Sequence, residues 1–266
     1  MTTDPPDHRD RRDDQDRPDH HSDADHAGDP DRRSSLQLPT TPARSLRGLV
    51  RVVVGVTTAL TRSDWRAADR LRTFAGEDGR GVILAVNHIS NVDPLLVGSF
   101  LVRNGIWPRF LAKASLFGVP VLGPLLRAAG QIPVLRTSAT AGDALEHAMT
   151  VLERGDSVVI YPEGTITDDP ELWPMKGKTG AARLALRSGA TVIPIGQWGA
   201  QQILYGKRSG CPRILPPKRI SMLVGDPVRL DDLRSTPVTT ENARIATRRI
   251  MSAITELVEE LRPEQR

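Results

Sequence analysis

Short, uninterrupted apolar runs alternate with longer amphipathic stretches over most of this chain. The runs are continuously apolar and lack the apolar–polar alternation of half-exposed strands. Continuous runs are typical of strands that are covered on both faces of a parallel sheet. The strands predicted in this way are residues 82–86, 109–113, 131–135, 157–161, 191–195 and 220–224. The pattern therefore predicts an α/β fold, with a mostly parallel central sheet flanked by helices.

Helices are predicted between these strands from apolar spacing and from residues that favour helix ends. Asp93 followed by Pro94 is typical of a helix start, with the aspartate as N-cap and the proline in the first turn. Gly155 and Gly189 are placed to end two further helices. One predicted helix begins at residue 93. The others span residues 119–129, 141–154, 179–187 and 240–261.

The first 45 residues differ from the rest in composition. They contain eleven Asp, seven Arg and four of the six His, and almost no large apolar residue before Leu36. Such a segment cannot bury enough apolar surface to offset the entropy lost on ordering it. We therefore expect a disordered polar tail over residues 1–45 and a single folded domain over residues 46–266.

The folded part is basic, because the tail carries a net charge of −4 while the whole chain carries +4. The resulting charge of +8 on residues 46–266 indicates an anionic partner, which could be nucleic acid, a phosphorylated substrate or an acidic membrane surface. No basic block is interleaved with aromatic residues as in base-stacking modules, so nucleic acid is disfavoured. The single cysteine, Cys211, excludes an intramolecular disulfide and a cysteine-based zinc cluster.

Residues 46–60 form an apolar stripe that begins among arginines, as in an amphipathic helix. Two interpretations stay open: the helix packs on the domain, or it lies in a membrane interface. Arg51 interrupts the stretch, so it falls short of the roughly 18 apolar residues of a spanning helix. Residues 1–30 lack the apolar core of a signal peptide. We therefore expect a soluble or peripheral protein.

The loops that follow parallel strands form the ligand crevice of such a sheet. His88 comes directly after the strand at residues 82–86, and Asp93 follows five positions later. A tight turn could bring the carboxylate to the imidazole, which is the arrangement of an oriented general base. The chain lacks a Gly-x-Ser-x-Gly nucleophile elbow, so the hydroxyl activated by this base would belong to a substrate. Each residue alone has an ordinary explanation, a helix cap for Asp93 and a hydrogen-bonded loop histidine for His88.

Three further loops carry polar residues after predicted strands. Arg136 ends one of them, and its planar guanidinium could grip a phosphate. Glu163, Gly164 and Thr165 place a carboxylate, a flexible residue and a hydroxyl at another strand end. Residues 196–198 follow the strand at 191–195. Taken singly, each of these loops could be a plain turn.

Taken in order, these pieces resemble the glycerolipid acyltransferase family, of the 1-acylglycerol-3-phosphate acyltransferase type. The four matching blocks are Asn87-His88-x-Ser90-x-x-Asp93, Gly130-x-Ile132-Pro133-Val134-x-Arg136, Pro162-Glu163-Gly164-Thr165 and Val192-Ile193-Pro194-Ile195. The stretches around Lys113 and Lys178 are also similar to family sequence. The motif core lies within residues 81–198, and four blocks in order are far more specific than one His-x4-Asp pair.

The resemblance implies an acyltransferase in which His88 is the general base and Asp93 orients its imidazole. The base would deprotonate an acceptor hydroxyl, which attacks the thioester carbonyl of acyl-CoA or acyl carrier protein. The leading acceptor is 1-acylglycerol 3-phosphate, giving phosphatidic acid, and neither a cofactor nor a metal is required. The resemblance assigns substrate binding to Asn87, Ser90, Lys113, Arg136, Glu163, Gly164, Thr165 and Lys178.

Two positions depart from the family pattern. Ile166 stands where the family often has Arg after Glu-Gly-Thr, and Leu135 stands where Asp is frequent in the second block. The first departure removes a candidate phosphate contact, so glycerol 3-phosphate or a glycolipid stays open as the acceptor. A non-catalytic lipid-binding protein of the same fold and a hydrolase that uses the base on water stay open as well.

A lysolipid acceptor resides in a bilayer while the thioester donor comes from the cytosol, so we expect a peripheral enzyme on the cytoplasmic face of the cell membrane. Residues 46–60 and the basic loop at residues 207–219 are candidates for the contact with an anionic surface. Each basic group there would add about 1 kcal/mol. The basic residues of that loop are Lys207, Arg208, Arg213, Lys218 and Arg219. A plain solvated loop is the alternative interpretation.

Overall fold

A seven-stranded sheet forms the centre of the protein in a computed structural model, which describes residues 44–74, 81–134, 141–207 and 210–262. The strands are β1 (Thr61–Arg66), β2 (Ile83–Val86), β3 (Pro108–Lys113), β4 (Ile132–Val134), β5 (Ser157–Ile160), β6 (Val192–Trp198) and β7 (Lys218–Val224). Their order across the sheet is β1-β7-β6-β2-β5-β3-β4. All the described residues belong to one compact unit, residues 38–266.

Five neighbouring strands, β6, β2, β5, β3 and β4, run parallel to one another. This arrangement confirms the predicted mostly parallel sheet. β7 lies where a strand was expected at residues 220–224, but it runs antiparallel to β6 and pairs in parallel with β1 at the sheet edge. Among the described residues of the β6–β7 connection, the only helix has four residues, whereas the crossover of a parallel return is usually a full α-helix.

Helices flank the sheet on both faces and fill most of the connections. They are α1 (Arg44–Ala59), α2 (Arg70–Phe74), α3 (Asp93–Arg103), α4 (Leu122–Ala128), α5 (Ala141–Glu153), α6 (Gly180–Ser188), α7 (Ala200–Ile203), α8 (Asp231–Arg234) and α9 (Thr240–Leu261). None of these described helices combines the length and the apolarity that crossing a bilayer requires.

Two apolar cores lie on opposite faces of the sheet, and successive β2 side chains enter them alternately. Ile83 and Ala85 lie in the core shared with α5, α6 and α9. Leu84 and Val86 lie in the core shared with α3. All four side chains are fully buried. Burial on both faces explains the continuous apolar runs, because neither set of side chains needs to be polar.

Some elements differ from the predicted ones. The helix expected at residues 119–129 is shorter, because a 3₁₀-helix at Ala114–Gly118 comes first and α4 starts at Leu122. Val121 has a φ of +67°, which a continuing helix cannot accommodate. The apolar pattern does not predict β1, whose sequence is polar, or the short helices α2, α7 and α8.

The amphipathic helix expected at residues 46–60 is present as α1. It packs on the domain through Leu46 and Val54, which are buried. Its other face exposes Leu49, Val52, Val53 and Val56 to solvent. The helix therefore has a packed side and an exposed apolar side, so packing on the domain does not remove its ability to meet a membrane.

Several residues with predicted roles lie outside the described ranges. These are Arg136, Leu135, Arg208 and residues 1–43 of the expected tail. The roles predicted for them stay predictions.

Candidate active site

His88 and Asp93 meet just beyond the carboxyl end of β2, at the edge where the parallel strands end. Asp93 is the first residue of α3 and Val92 is the N-cap, so the predicted N-cap role of Asp93 is wrong by one position. The carboxylate reaches back into the turn instead. Its Oδ2 accepts the backbone N–H groups of Ile89 at 2.7 Å and of Ser90 at 2.8 Å. Those two bonds fix the turn around the carboxylate.

The same carboxylate oxygen holds the imidazole. His88 Nδ1 and Asp93 Oδ2 are 2.8 Å apart. Asp93 is fully buried, whereas His88 keeps 17% of its side chain exposed and lines a cleft. Since Nδ1 is engaged, Nε2 is the ring nitrogen left for a ligand. The carboxylate thereby favours the tautomer with its proton on Nδ1, in which Nε2 can act as a base.

Burial and the neighbouring His88 act in opposite directions on the ionisation of Asp93. Burial raises the pKa of the Asp93 carboxyl, while the hydrogen bond and the charge of His88 lower it. The N–H groups of Ser90 and Ile89 also favour the ionised form. Oδ1 has no hydrogen-bond partner among the described residues. A protonated His88 is therefore the countercharge that this buried carboxylate is placed to stabilise.

Glu163 clamps the His88 turn from the end of the neighbouring strand β5. Its Oε1 accepts the backbone N–H of His88 at 2.8 Å, and its Oε2 accepts the N–H of Met175 at 2.9 Å. The side chain is only 2% exposed. Because backbone donors take both oxygens, this geometry favours a supporting role for Glu163 over the predicted contact with an acceptor.

The Glu163 carboxyl should make stability depend on pH. Burial raises its pKa from 4.5 to about 7, although the N–H groups of Met175 and His88 counteract the rise. The folded protein therefore binds more protons than the unfolded chain between these values, and its free energy of unfolding should fall as the pH rises through them. We expect a loss of roughly 2 kcal/mol between about pH 5 and pH 7.5, measured by urea denaturation.

Glu163→Gln is the control for this pH dependence, because glutamine cannot titrate. Its free energy of unfolding should change less across the same window than that of the wild type. Equal pH dependence in the two proteins would contradict the assignment to Glu163.

Asn87 and Ser90 are fully buried behind His88. The Asn87 amide exchanges two hydrogen bonds with the backbone of Gln197, with Nδ2 donating at 3.1 Å and Oδ1 accepting at 2.8 Å. Ser90 Oγ donates to the C=O of Leu204 at 2.5 Å. These bonds tie the turn to β6 and to the end of α7. Neither residue is among those that line the cleft, so both hold the turn in place.

Tyr161 supports the imidazole from one side. Its ring stacks on His88, with centroids 4.1 Å apart and 18° between the ring planes. Phe110 lies nearly parallel to Tyr161 at 6.1 Å. Burial raises the pKa of the Tyr161 hydroxyl well above its ordinary value, as does the charge of Asp93, so the phenol stays neutral. The stack restricts tilting of the His88 ring and reinforces the orientation set by Asp93.

An apolar cleft of about 810 Å³ opens beside His88. Much of its wall comes from α1, from the 3₁₀-helix and α4, and from the end of β3. Apolar side chains that line it include Leu46, Leu49, Val53, Leu116, Leu122 and Leu125. A cleft of this size and composition suits a long apolar ligand, with the imidazole placed in its wall.

Two lysines add charge to the cleft, Lys113 at the end of β3 and Lys178 just before α6. The Lys178 side chain lies over Gly164, where an added Cβ would meet Nζ at 3.1 Å. Gly164 also has a φ of +71°, so glycine both permits this turn and leaves room for the lysine. The structure thus brings Lys113, Gly164 and Lys178 around one cleft with His88, whereas Thr165 is not among its lining residues.

Within the described part of the chain, no cluster of three or more His, Cys, Asp or Glu side chains could hold a metal ion. The groups closest to that role, His88, Asp93 and Glu163, are bonded to one another's side chains or to backbone N–H groups. Their arrangement is that of an imidazole oriented by a buried carboxylate, with the turn held by backbone N–H groups.

Three supporting residues are not predicted by the sequence. Thr167 donates its N–H to the C=O of His88 at 2.8 Å, and Met175 donates its N–H to Glu163. Gln197 pairs with Asn87 through its backbone and also donates its side-chain Nε2 to the C=O of Asn87 at 2.8 Å. It lies in the loop expected at residues 196–198, which belongs to β6. Backbone donors leave no side-chain signature, so only Gln197 carried a signal that could have been found.

Comparison with known proteins connects this geometry to a family. The family model described as Acyltransferase matches residues 64–198, which contain all four sequence blocks. A chloroplastic 1-acyl-sn-glycerol-3-phosphate acyltransferase of Brassica napus is 31% identical over 118 residues, which are 44% of this chain and 34% of that protein. A lyso-ornithine lipid O-acyltransferase of Pseudomonas aeruginosa is 32% identical over 162 residues, which are 60% of this chain and 54% of that protein.

A solved structure shares the fold. The crystal structure of the 1-acyl-sn-glycerophosphate (LPA) acyltransferase from Thermotoga maritima matches with a TM-score of 0.61 and 21% identity, over 81% of this chain and 79% of that one. The chain spans about a third to a half of the length of the two curated relatives. Since the family model covers just over half of the chain and includes the His88–Asp93 pair, the chain belongs to the acyltransferase family.

Proposed function

We propose that this protein transfers a fatty acyl group from an acyl thioester, acyl-CoA or acyl carrier protein, to a hydroxyl of a glycerophospholipid precursor. The leading acceptor is 1-acylglycerol 3-phosphate, which would give phosphatidic acid. The observation that carries the proposal is the His88–Asp93 pair, 2.8 Å apart, in the wall of an apolar cleft. Membership of the acyltransferase family supports the reaction class.

In this mechanism His88 is the general base. Its Nε2 takes the proton of the acceptor hydroxyl as the oxygen attacks the thioester carbonyl, and Asp93 stabilises the imidazolium that forms. The tetrahedral intermediate then collapses with cleavage of the C–S bond. The imidazolium gives its proton to the departing thiolate, which restores the base and releases the ester and the free thiol. The apolar cleft would hold the acyl chain.

The acceptor phosphate would bind at the lysines of the cleft, Lys113 and Lys178. Lys178 is expected to contact it, so Lys178→Ala should raise the acceptor KM about tenfold and change the donor KM by less than about twofold, because a charged hydrogen bond is lost. Steady-state kinetics with lysophosphatidate measure both constants. Lys176→Ala is the matched control, since Lys176 is exposed two residues away and is not among the cleft-lining residues. Equal effects on the two KM values would contradict the phosphate contact.

A second acceptor class has support of its own. Ile166 is buried and apolar at the position after Glu163-Gly164-Thr165, so it offers no charge to a phosphate. A relative named for lyso-ornithine lipid, whose match covers 60% of this chain, acts on an acceptor of a different class. A non-phosphorylated lysolipid is therefore an alternative acceptor to 1-acylglycerol 3-phosphate. Glycerol 3-phosphate is a further alternative, supported by a relative named glycerol-3-phosphate acyltransferase.

A peripheral position on the cytoplasmic leaflet would give the cleft access to both substrates. Two exposed apolar surfaces, α1 and the stretch at residues 116–125, contribute side chains to its lining. The stretch that precedes β7 adds exposed Ile214 and Leu215. Lys218 and Arg219, expected in the same basic loop, belong to β7 instead. Apolar side chains flanked by cations are the composition of an interfacial membrane contact.

The double substitution Val52→Asp with Val56→Asp should weaken binding to vesicles that contain anionic lipid. The two valines are 63% and 52% exposed, so replacing them does not disturb the core. We expect at least about a tenfold loss of vesicle affinity, because apolar burial is lost and negative charge is added. Cosedimentation measures the binding, and Val238→Asp, at an exposed valine between α8 and α9, is the matched control. Equal losses in both variants would contradict a specific role for α1.

The proposed function is tested by product analysis. Purified protein is incubated with isotopically labelled acyl-CoA or acyl carrier protein and a panel of acceptors: lysophosphatidate, glycerol 3-phosphate and lyso-ornithine lipid. Mass spectrometry should detect an acylated product that carries the label. Release of free labelled fatty acid without an acylated acceptor would indicate a hydrolase. No turnover of either donor would indicate a non-catalytic lipid-binding protein.

A further inference from the structure

The peptide that carries His88 is held by a loop far along the chain, residues 166–175. Thr167, near the start of this 166–175 loop, donates its N–H to the C=O of His88 at 2.8 Å. Met175, at its end, donates its N–H to Glu163, whose other oxygen accepts the N–H of His88. One end of the loop therefore binds the C=O of His88 directly, and the other end holds Glu163, which binds the N–H of His88.

The 166–175 loop is tied together by hydrogen bonds between its tip and its start. Thr167 Oγ1 donates to the C=O of Trp173 at 2.7 Å and accepts the N–H of Asp169 at 3.1 Å. Asp169 Oδ1 accepts the N–H groups of Glu171 at 2.9 Å and of Trp173 at 3.2 Å. Displacement of the tip at residues 171–173 would therefore reach Thr167 directly.

Arg262, directly after α9, attaches that tip to the rest of the protein. Its guanidinium lies over the ring of Trp173 at 4.1 Å and over the ring of Trp198, at the end of β6, at 4.9 Å. Its Nη1 donates to the C=O of Glu171 at 2.6 Å. The side chain is 14% exposed. A largely buried cation stacked on two indoles is a stronger attachment than a surface ion pair.

We propose that Arg262 is a positioning residue for acyl transfer: it holds the tip of the 166–175 loop, and the loop holds the peptide of His88. Arg262 is not among the cleft-lining residues, so it would act only through Trp173 and Glu171. The inference rests on the proposed role of His88 as the base. A base that is slightly displaced still leaves the substrates bound but lowers the rate of the chemical step. The effect should therefore fall on kcat and not on KM.

The loop also has attachments on its other side. The Tyr205 hydroxyl donates to the C=O of Pro170 at 3.0 Å, and Lys207 pairs with Asp168. Loss of Arg262 should consequently loosen the loop without releasing it. A partial fall in rate is expected.

The kinetic experiment compares Arg262→Ala, Arg262→Lys and Arg249→Ala in the full chain. Arg262→Ala should lower kcat about tenfold and leave both KM values within about twofold. Arg262→Lys keeps the cation over the indoles and should recover part of kcat. Arg249 lies on α9 and pairs with Asp232, away from the loop, so Arg249→Ala should keep the wild-type kcat. A kcat for Arg262→Ala within about twofold of wild type, or an equal loss in Arg249→Ala, would overturn the proposal.

Amide hydrogen exchange tests the attachment without relying on activity. Arg262→Ala should exchange faster than wild type at residues 166–175 and at residues 88–90, while the amides of β2 and β5 keep their protection. Unchanged exchange in the loop would refute the role of Arg262 even if the protein proves not to be an acyltransferase. Wild-type protein that transfers no acyl group, together with the expected exchange difference in Arg262→Ala, would instead refute the proposed function alone.

Discussion

Replacing His88 with alanine is expected to lower kcat for acyl transfer by about 10²–10⁴-fold, the range typical of a general base. No other imidazole of the described residues lies at the cleft, and Nε2 is the His88 nitrogen that its bond to Asp93 leaves free. The fold should be retained, because the His88 side chain is partly exposed and the turn is held by backbone bonds. The measurement is kcat at saturating donor and acceptor, with the acylated product quantified by mass spectrometry.

His147→Ala is the matched control for this prediction. His147 lies half-buried on α5 and is not among the cleft-lining residues, so its loss should leave kcat within about twofold of wild type. A His88→Ala variant that folds and still retains more than a few per cent of wild-type activity with lysophosphatidate would contradict the assignment of the base.

The parallel part of the sheet could be predicted because its strands are buried on both faces. Continuous apolar runs at β2, β5 and β6 are a direct consequence of the two cores, and each run leaves a clear signal in the sequence. β1 leaves none, since all of its residues except Trp65 are polar and the strand lies at the sheet edge. The apolar run of β7 predicts a strand but not its direction, and the antiparallel pairing with β6 is seen only in the structure.

Sequence reasoning could predict only the part of the candidate site that is formed by side chains with a recognisable spacing. His88 and Asp93 are recognisable from their spacing, and the structure brings them together as expected. The roles of Asn87, Ser90 and Glu163 are different, because their polar atoms are used by backbone groups in and around the turn. A sequence block shows that such residues belong together, but it cannot show whether they face a ligand or the protein interior.

The supports of His88 that come from distant segments are the part that sequence reasoning could not reach. Thr167 and Met175 act through backbone N–H groups, which every residue except proline possesses. Arg262 lies over two indoles, one in the 166–175 loop and one at the end of β6. These contacts depend on tertiary placement, so neither residue type nor local spacing predicts them.

Asp93→Asn should separate the charge of the carboxylate from its geometry. All three donors to Asp93, His88 Nδ1 and the N–H groups of Ile89 and Ser90, converge on Oδ2. An asparagine oxygen at that position can still accept them, and its amide would take the place of Oδ1, which has no partner among the described residues. The turn and the imidazole orientation should survive. The negative charge that stabilises the imidazolium is lost, so kcat should fall by about 10²–10⁴-fold, as expected when an orienting aspartate becomes an amide.

Asp93→Ala is the comparison variant, which removes the hydrogen-bond acceptor together with the charge. It leaves the two buried N–H groups of the turn without an acceptor, which should lower the free energy of unfolding by about 3 kcal/mol or more in addition to abolishing activity. Urea denaturation and kcat are measured on both variants. If Asp93→Asn keeps near-wild-type stability but loses activity, the carboxylate charge acts on the reaction and not only on the fold. If Asp93→Asn retains kcat within about threefold of wild type, Asp93 merely shapes the turn, and His88 does not depend on a buried anion to carry a proton.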